Sequence, residues 1–295
     1  MRRGLLACLL AGCYHASNLA CAVSCDSDQS CPGGLQCGLS DHLCHAGGLE
    51  CSEIDAGVPD DAGGRPISDA VSSDATSAPF CPRSEASIVA CYEFENTTDD
   101  ESQYMLPTKP TVGITFPPSM TGLGQALQLA SDSNVQIAET VVLDRQTFTV
   151  EAWLYPSSTN GQNVSVVNNG GQYGMFVDTT DAPYCAKVTP AKPPDPPVLV
   201  TALGSKALAP NQWTHVACVY DGTALTLYVN GTKDVANTFG GGAVVTTGTT
   251  GTGIGSETPT TAEVNHYVGL IDNLRIWSVA RIRADLCADA APNCP

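Results

Sequence analysis

The stretch from Asn211 to Gly231, NQWTHVACVYDGTALTLYVNG, constrains the fold more than any other part of the chain. Two runs rich in Val, Thr, Tyr and Leu, Trp213–Tyr220 and Ala224–Val229, flank Asp221-Gly222, a dipeptide that favours the positive φ angle of a hairpin turn. Asn230-Gly231 supplies the next turn. The first run is apolar on both faces at its centre, whereas in the second run the aliphatic residues Leu225, Leu227 and Val229 alternate with Thr226 and Tyr228. Because a hairpin does not bury an apolar face alone, the sequence predicts a second sheet packed over it.

The composition indicates an exported, all-β protein. Its 295 residues include 28 glycines and 20 prolines, and long amphipathic helical patterns are missing, which is typical of many short strands joined by turns. The formal net charge of −17 disfavours binding to nucleic acid or to anionic membrane surfaces. The chain also has 14 cysteines, more than a reducing cytosol sustains without metal, so we expect an oxidising compartment.

From Phe80 onward, short apolar runs alternate with turn residues, which predicts about a dozen strands, among them Val112–Phe116 and Ala243–Thr246. Several of these runs, VACYEFE, GQALQLA, FTVEAWLYP, WTHVACVYDG, LTLYVNG and GLIDNLRIWSVAR, form a pattern that resembles the laminin-G-like, concanavalin A-like jelly-roll family. The resemblance covers residues 80–295. It implies a two-sheet antiparallel jelly-roll sandwich, preceded by a small disulfide-rich module and a disordered acidic linker.

Residues 1–12 have the features of a lipoprotein signal peptide. Met1-Arg2-Arg3 is basic, and Gly4–Ala11 is an apolar run far shorter than the roughly 20 residues that span a bilayer. Leu10-Ala11-Gly12-Cys13 then resembles a bacterial lipoprotein box, in which the cysteine is diacylated and becomes the mature N-terminus. We therefore expect Cys13 to tether the protein by lipid in the cell envelope, at the outer membrane or cell surface. An ordinary secretory signal is the alternative.

Residues 13–51 are predicted to form a cysteine-rich module, because they contain too few apolar residues for a core. The order C-x5-CPGGLQC-x6-C resembles small modules in lipoproteins of myxobacteria and their relatives. Export and an even cysteine number favour three disulfides, whose pairing stays open. The alternative is zinc, with His42 or His45 joining Cys37 and Cys44. The six cysteines are Cys21, Cys25, Cys31, Cys37, Cys44 and Cys51.

Residues 52–79 are predicted to be a disordered acidic linker. Asp-Ala recurs among glycine, proline and serine, at Asp55, Asp61, Asp69 and Asp74. Such a segment buries too little apolar surface to offset its ordering entropy, and charge repulsion extends it. The aspartates lack the regular glycine period of calcium-binding repeats, so we expect a stalk that holds the large domain off the membrane.

Six cysteines remain in the large domain, and the resemblance implies how they pair. The family often carries a disulfide between the strands that flank the proline-rich loop near Lys192–Pro197. The first and last strands of this fold pair antiparallel, which brings the two ends of the domain together. The expected pairs are Cys185–Cys218, Cys91–Cys287 and Cys81–Cys294.

The resemblance also implies a structural calcium site, where the loop after the opening strand meets an aspartate in the closing strand. The matching residues are Asp272 and Asp100, with Glu95 standing where the family has aspartate. Backbone carbonyls would complete the about six to eight oxygens that calcium takes. The alternative is an exposed acidic loop, with Asp272 paired to Arg275 or Arg281.

The sequence does not predict an enzyme. Retaining glycoside hydrolases of this fold carry two carboxylates about 5–5.5 Å apart from a Glu-x-Asp-x-Glu strand, and the comparable strand FTVEAWLYP offers only Glu151. Trp153, Trp213 and Trp277 are expected in the core, with stacking on sugars as the alternative, and His215 is expected to be structural.

These features predict an extracytoplasmic binding or adhesion protein whose jelly roll contacts a glycan or a surface protein. A structural envelope protein without a small ligand is the alternative, and a glycoside hydrolase-like enzyme is the third hypothesis. The sequence fixes no ligand.

Overall fold

The computed structural model describes residues 36–37, 44–45, 80–120, 124–159, 161–190, 195–238, 241–246, 250–257 and 265–294. The chain divides into two units, Met1–Asp74 and Ala75–Pro295. In the first, β1 (Gln36–Cys37) and β2 (Cys44–His45) form an antiparallel pair in which Cys37 lies opposite Cys44.

The predictions for lipidation at Cys13, for the disulfides of the N-terminal module and for the stalk at residues 52–79 lie outside the described residues. Within them, no helix is long and apolar enough to cross a membrane.

The described part of the second unit is a sandwich of two antiparallel sheets, which confirms the predicted fold class. Sheet A contains β3 (Ile88–Tyr92), β5 (Leu127–Leu129), β7 (Phe148–Pro156), β12 (Thr214–Tyr220), β13 (Leu225–Val229), β14 (Thr232–Asn237) and β16 (Gly269–Trp277). Sheet B contains β4 (Thr108–Pro110), β6 (Val135–Ile137), β8 (Val164–Asn169), β9 (Tyr173–Val177), β10 (Pro183–Thr189), β11 (Val198–Leu203) and β15 (Thr252–Ile254).

The strand orders place the predicted hairpin and the closing strand in sheet A. Its order is β14-β13-β12-β7-β16-β3, with β5 also paired to β16, and the order of sheet B is β11-β10-β9-β8-β15-β6-β4. The first and last strands, β3 and β16, pair antiparallel as expected. Between the sheets, Phe148 of β7 stacks on Tyr173 of β9 with ring centroids 4.2 Å apart, so aromatic rings join the two layers of the core.

The hairpin that organised the sequence forms as predicted. Strands β12 and β13 pair antiparallel around Asp221-Gly222, where Gly222 has φ +95° and the Asp221 carboxylate accepts hydrogen bonds from the Thr223 and Ala224 N–H groups of the same turn. Asn230 (φ +48°) and Gly231 (φ +68°) then form the tight turn into β14. A Cβ on Gly231 would lie 2.6 Å from the Cα of Cys287, so this turn also requires glycine for close packing.

A C-terminal helix that the sequence analysis did not predict, α1 (Arg283–Asp289), covers the outer face of sheet A. Its Leu286 is buried against Ala217 and Val219 of β12. This contact explains why the centre of that strand is apolar on both faces: one face packs into the sandwich and the other packs under the helix. A two-faced apolar strand in a sandwich is thus a signal that something covers its outer side.

Two predicted strands are wrong. Within Val112–Phe116 only Thr115 forms a bridge, to Gln128 of β5, whereas the residues just before this segment form β4, the edge strand of sheet B. Ala243–Thr246 is not a strand: the Gln146 side chain binds both backbone groups of Val244, and the Val245 N–H donates to the Val188 carbonyl at 2.9 Å without a continuing ladder. The Gln146 amide donates to the Val244 carbonyl and accepts from the Val244 N–H, each at 2.9 Å.

The disulfides of the large domain agree with one expected pair and correct two. Cys185 of β10 is bonded to Cys218 of β12 with a Cα–Cα distance of 5.4 Å, which links the two sheets through the core. The expected Cys91–Cys287 and Cys81–Cys294 bonds are wrong. The structure pairs neighbours in sequence instead, Cys81 with Cys91 and Cys287 with Cys294.

The path of the chain after β16 explains these corrections. Although β3 and β16 are adjacent, the chain then turns over the outer face of sheet A and brings Cys287 beside Gly231, at the turn between β13 and β14. Cys91 lies on β3, at the opposite end of the strand order. Disulfide partners need Cα atoms within about 7 Å, so Cys91 cannot reach Cys287.

Candidate functional site

A cleft on the outer face of sheet B combines aromatic, amide and aliphatic side chains in a volume of about 190 Å³. Along β9, Tyr173, Met175 and Val177 are buried in the core, so the alternate residue Phe176 points outward. The side chains that shape the cleft are those of Asn168, Gln172, Phe176, Tyr184, Val188 and Leu199. Apolar walls with a few polar groups are the usual make-up of a small-molecule site.

Phe176 and Tyr184 form a stacked pair that is half-exposed at the cleft. They lie directly opposite each other in the register of β9 and β10, with ring centroids 5.1 Å apart and planes inclined by 21°. Gly174 allows this arrangement, because a Cβ there would lie 2.7 Å from the Phe176 ring and 2.3 Å from the Val167 carbonyl oxygen. The Phe176 ring therefore lies over the sheet instead of standing away from it.

The polar groups of the cleft are neutral amides and a phenol. Gln172 donates to the Asp144 carboxylate at 2.6 Å, and its own amide oxygen finds no hydrogen-bond partner among the described residues. The Asn168 side-chain oxygen accepts a weak bond from the Gly171 N–H at 3.5 Å. Burial, together with Asp178 and Glu257, raises the pKa of Tyr184, so its hydroxyl stays protonated and able to donate.

Lys187 also lines the cleft, but its amine lies in the protein interior. The side chain is buried, its Nζ donates to Thr189 Oγ1 at 3.0 Å, and it lies 4.4 Å from the centre of the Tyr220 ring. Burial lowers the pKa of this amine. The cleft therefore presents no strong charge of its own to a ligand.

Sequence reasoning missed this cleft. The runs Tyr173–Asp178 and Tyr184–Val188 are each typical of a strand, but neither run alone indicates which outward-facing residues meet across the intervening turn. The signal was present, since only a short segment of turn-forming residues, 179–183, joins the two runs. A hairpin there sets the register and makes Phe176 and Tyr184 neighbours.

Asp272, the first expected calcium ligand, is a buried carboxylate in β16. It accepts hydrogen bonds from the Ser119 hydroxyl and, at 2.8 Å, from the Asn273 N–H. Burial raises the pKa of Asp272 to about 7, and the nearby Glu95 and Glu93 add to this effect. A cation would relieve such a site, so the surroundings of Asp272 fit the expected role. The expected Asp272–Arg275 and Asp272–Arg281 pairs are not found, because both arginines bind other carboxylates.

Asp100, the second expected ligand, has another task. Its carboxylate is buried and accepts hydrogen bonds from the backbone N–H groups of Cys91, Ser102 and Leu106 at 2.8–3.0 Å, and from the Ser102 hydroxyl at 2.8 Å. Both oxygens are thus used to fix the loop after β3. The assignment of Asp100 as a calcium ligand is not supported by this arrangement, since binding a cation would disrupt the backbone bonds.

Glu95, the third expected ligand, accepts a hydrogen bond from the Gln125 N–H at 3.1 Å. Among the described residues, the potential metal ligands that lie within 4.8 Å of one another are those of Cys81, Glu93 and Glu101. The Cys81 sulfur is committed to a disulfide, so this group is no metal centre. The three expected ligands are therefore not brought together as one set, although Asp272 and Glu95 stay near each other.

Glu151, the carboxylate considered for catalysis, lies in a buried ionic network under α1. Its Oε1 is 3.0 Å from Arg275 Nε and 2.7 Å from Arg281 Nη1. The Trp277 indole also donates to Oε1 at 2.7 Å, and His215 Nε2 lies 3.7 Å from Oε2. These contacts leave Glu151 no access to a substrate.

The expected core roles of the tryptophans hold for two of the three. Trp153 is buried edge-on against His215, and Trp277 is buried over the disulfide of Cys81. Trp213 is only half-buried and packs beside Tyr155 with ring centroids 5.3 Å apart. His215 is structural as expected, since burial lowers its pKa to about 4 and keeps it neutral at physiological pH.

We expect Asp272→Asn to stabilise the protein in the absence of divalent cations. The pKa of Asp272 is about 7 in the fold against 3.8 ordinarily, so ionisation makes folding less favourable as pH rises from about 4 to 7. An amide avoids this cost, and the gain at pH 8 should be on the order of 2 kcal/mol and vanish near pH 4. Urea unfolding in chelator at both pH values measures it.

Calcium should reverse the order of the two proteins if Asp272 is a ligand. Wild type should then gain stability on adding calcium. Asp272→Asn should gain none, because it lacks the ligand, whereas the exposed control Asp132→Asn should gain as much as wild type. If calcium does not stabilise wild type, the prediction of a calcium site is wrong. A variant that is less stable in chelator at pH 8 would contradict the argument from burial.

A comparison with protein families and solved structures finds the same fold. The family model of the concanavalin A-like lectin/glucanases superfamily (Laminin_G_3) matches residues 129–287, more than half of the chain. A search of the curated proteins finds no significant match.

Among solved structures, domain 4 of an extracellular arabinanase from Geobacillus stearothermophilus, in complex with arabinotriose, is 20% identical, with a TM-score of 0.50. The alignment covers 69% of this chain and 98% of that domain. The binding domain of Paraclostridial Mosquitocidal Protein 1 is 13% identical over 69% of this chain and 52% of its own, with a TM-score of 0.56.

A structure of botulinum neurotoxin type C, which interacts with two ganglioside molecules, is 11% identical over 70% of this chain and 51% of its own, with a TM-score of 0.51. This chain thus spans about half the length of the two toxin chains. At these low identities, the similarity to the three structures establishes a shared fold and nothing more.

Proposed function

Because the chain belongs to the concanavalin A-like lectin/glucanase superfamily, we propose that its large domain binds a saccharide, with the cleft of Phe176 and Tyr184 as the binding site. The observation that carries this proposal is the partly exposed stacked pair, which lies beside the partly exposed Asn168 amide and the buried Gln172 amide. An aromatic face can pack on the apolar face of a sugar ring, while amides and a phenol bond its hydroxyls.

The neighbouring structures support a saccharide more than another ligand class. The arabinanase domain was solved with arabinotriose, and botulinum neurotoxin type C interacts with gangliosides. These ligands belong to those proteins. They show that this fold carries glycan sites in other chains, which makes the aromatic cleft a reasonable place to look in this one.

Binding without catalysis fits the carboxylates of the described residues better than hydrolysis does. A retaining glycosidase needs two carboxyl groups about 5–5.5 Å apart that both reach the substrate. Glu151 is enclosed by Arg275, Arg281 and Trp277 beneath α1, on the outer side of the other sheet. The residues described as lining the aromatic cleft include no carboxylate.

We also propose that the protein works outside the cytoplasm, held at the envelope by a lipid on Cys13. The basic start, the short apolar run and the lipoprotein-box pattern support this proposal, and the disulfides of the large domain are compatible with an oxidising compartment. Metabolic labelling with a palmitate analogue tests it, because Cys13→Ser should abolish incorporation. Labelling that persists in this variant would contradict the lipid on Cys13.

A protein partner is the second candidate. Three apolar residues of the edge strand β11, Val198, Leu199 and Leu203, are each more than half exposed. An edge strand with exposed apolar side chains can pair with a strand of another protein. This function becomes the better explanation if the saccharide experiment fails.

We expect Phe176→Ala and Tyr184→Ala each to weaken saccharide binding at least tenfold, because each removes one of the two stacked rings. The experiment screens the purified chain by calorimetry against arabino-, xylo-, cello- and galacto-oligosaccharides, with calcium and with chelator. The two variants are then tested on whichever saccharide binds wild type.

Two aromatic controls make the assignment specific. Tyr104→Ala removes an exposed ring elsewhere in the described structure and should leave binding unchanged. Trp213→Ala removes a ring of the other half-exposed pair. If Trp213→Ala abolishes binding while Phe176→Ala does not, the site has been misplaced. If no saccharide binds wild type, the proposed function is wrong.

A further inference from the structure

The helix α1 is held in place by sheet A and has little stability of its own. It has seven residues, whereas an isolated helix needs about 12–15 to form in water. Its N-cap residue, Ile282, has no side-chain acceptor for the first helical N–H groups, and Asp289 puts a negative charge at the end of the helix where the dipole disfavours it. The contacts of α1 with the sheet therefore decide whether the helix forms.

Two side chains attach α1 to the sheet. Leu286, the buried residue of the helix, packs on the apolar outer face of β12. The Asp289 carboxylate binds Arg275 and Arg281, while 22% of the Asp289 side chain stays exposed. Among the described residues, the backbone hydrogen bonds donated by residues 286–293 all have their acceptors within residues 282–290. The attachment is therefore made by side chains, without a backbone ladder to the sheet.

The segment just before α1 is attached to the sheet separately. The Thr149 hydroxyl donates to the Val279 carbonyl at 2.9 Å and accepts from the Arg281 N–H at 3.0 Å. The Arg281 guanidinium also lies 2.7 Å from the Glu151 carboxylate. Ile282, which follows, has an extended backbone (φ −82°, ψ 159°) and is 64% exposed. If α1 leaves the sheet, residues 279–281 can therefore stay bound, and Ile282 is the hinge.

The helix covers a buried ionic network without completing it. Glu151 Oε2 and His215 Nδ1 are buried and have no hydrogen-bond partner among the described residues. Burial lowers the pKa of His215 and the Asp289 carboxylate opposes this effect, which places the end of α1 near His215. An unpartnered buried polar atom costs free energy that water recovers when it reaches the atom. Hydration of these two atoms therefore offsets part of the cost of moving α1 away.

We propose that residues 283–294 form a lid, which opens about Ile282 as one unit while the sandwich stays folded. The Cys287–Cys294 disulfide closes the end of the lid into a compact ring. A segment held by few apolar contacts opens at a lower free energy than global unfolding requires. The lid lies on sheet A and the aromatic cleft on sheet B, so this inference does not depend on saccharide binding.

Opening of the lid changes the charge of the outer face of sheet A. Asp289 leaves with the lid, whereas Arg281 lies before the hinge and remains bound to Glu151. Arg275 and Arg281 then face one carboxylate, beside the apolar residues that Leu286 covered. The lid thus controls access to a surface with excess positive charge, in a chain whose formal net charge is −17.

Native-state hydrogen exchange of the full chain, read by mass spectrometry at urea concentrations below the unfolding transition, tests the lid. We expect the amides of residues 286–293 to exchange about tenfold or more faster than those of β12, with little dependence on urea, because opening the lid exposes little surface. If both sets of amides exchange at the same rate and with the same urea dependence, α1 leaves the sheet only on global unfolding and the proposal is wrong.

Asp289→Asn should make the lid open more often, because it removes the charge that binds Arg275 and Arg281. Exchange in residues 286–293 should rise about tenfold or more, while exchange in β12 stays unchanged. The matched control is Asp285→Asn, which removes an exposed carboxylate from the same helix and should have a clearly smaller effect. An equal effect of the two substitutions, or an equal rise in β12, would overturn the proposal.

Chemical labelling of histidine tests whether the lid covers the network. Diethyl pyrocarbonate reacts with neutral imidazoles that it can reach, and His215 is neutral at physiological pH but only 2% exposed. Asp289→Asn should raise labelling of His215 about tenfold or more and leave the partly exposed His266 unchanged. Labelling of His215 that does not rise in this variant would contradict a lid over the network.

Discussion

Replacing Glu151 with glutamine is expected to lower the free energy of unfolding by about 3–5 kcal/mol, because it leaves buried cations without their counter-charge. Glu151 is fully buried, and its Oε1 contacts Arg275, Arg281 and the Trp277 indole at 2.7–3.0 Å. An amide keeps the shape and one acceptor but removes the charge. Breaking one partner out of a buried ionic network is more damaging than replacing the network as a whole.

The other members of the network explain why the expected loss of stability in Glu151→Gln is large. Asp289 of α1 also binds both arginines, with its Oδ2 2.5 Å from a terminal nitrogen of Arg275. Burial opposes ionisation of Asp289, but Arg275 and Arg281 outweigh it and hold the pKa of Asp289 below its usual value. In wild type, two carboxylates thus face two guanidiniums. The variant leaves one carboxylate for both, which weakens the attachment of the helix to the sheet.

Urea unfolding of Glu151→Gln at pH 7 measures this effect, with the exposed Asp132→Asn as the matched carboxyl-to-amide control. The double variant Glu151→Leu with Arg275→Met should recover part of the loss, because Arg281 and Asp289 then remain as one pair. A loss below about 1 kcal/mol in Glu151→Gln would mean that the network does not hold the helix.

The second large effect is expected on removing the Cys185–Cys218 disulfide. The bond closes a loop with a sequence separation of 33 and joins β10 in one sheet to β12 in the other, in the core. Loop-closure entropy predicts that the double alanine variant loses about 3–4 kcal/mol, and the cavity left by two buried sulfurs adds to the loss. This is the one bond of the described large domain that crosses between the sheets.

The other two disulfides of the described large domain are internal controls. Cys81–Cys91 and Cys287–Cys294 close loops with separations of 10 and 7, so their removal should cost about 2–3 kcal/mol each. Denaturant unfolding of the three double alanine variants gives the order. If the Cys185–Cys218 variant loses no more than the Cys287–Cys294 variant, loop length and core position do not decide the stabilisation.

Asp272 and Asp100 show which properties of the candidate calcium site the sequence alone cannot predict. Both are carboxylates near a strand of the family pattern, and a linear pattern cannot tell a buried carboxylate with few donors from one that is already saturated. In the structure, Asp272 has a raised pKa beside other acids, whereas Asp100 fixes a loop through three backbone N–H groups. The difference lies in the folding of residues distant in sequence, such as Ser119.

The sequence by itself determined the β-sandwich. The period-two pattern of Leu225–Val229 and the turns at Asp221-Gly222 and Asn230-Gly231 are local, because they depend on the steric preferences of single residues and their nearest neighbours. Such signals survive in any chain context. They set which segments are strands, where the chain reverses and which face of each strand is apolar.

Only the tertiary structure decided which distant residues meet. It pairs Cys81 with Cys91 because the chain after β16 crosses the outer face of sheet A instead of running back to its edge. It joins the loop after β11 to β14, because the Ser205 N–H and hydroxyl both donate to the Asp234 carboxylate. Contacts of this kind depend on the path of the whole chain and on its packing, and no local preference encodes that path.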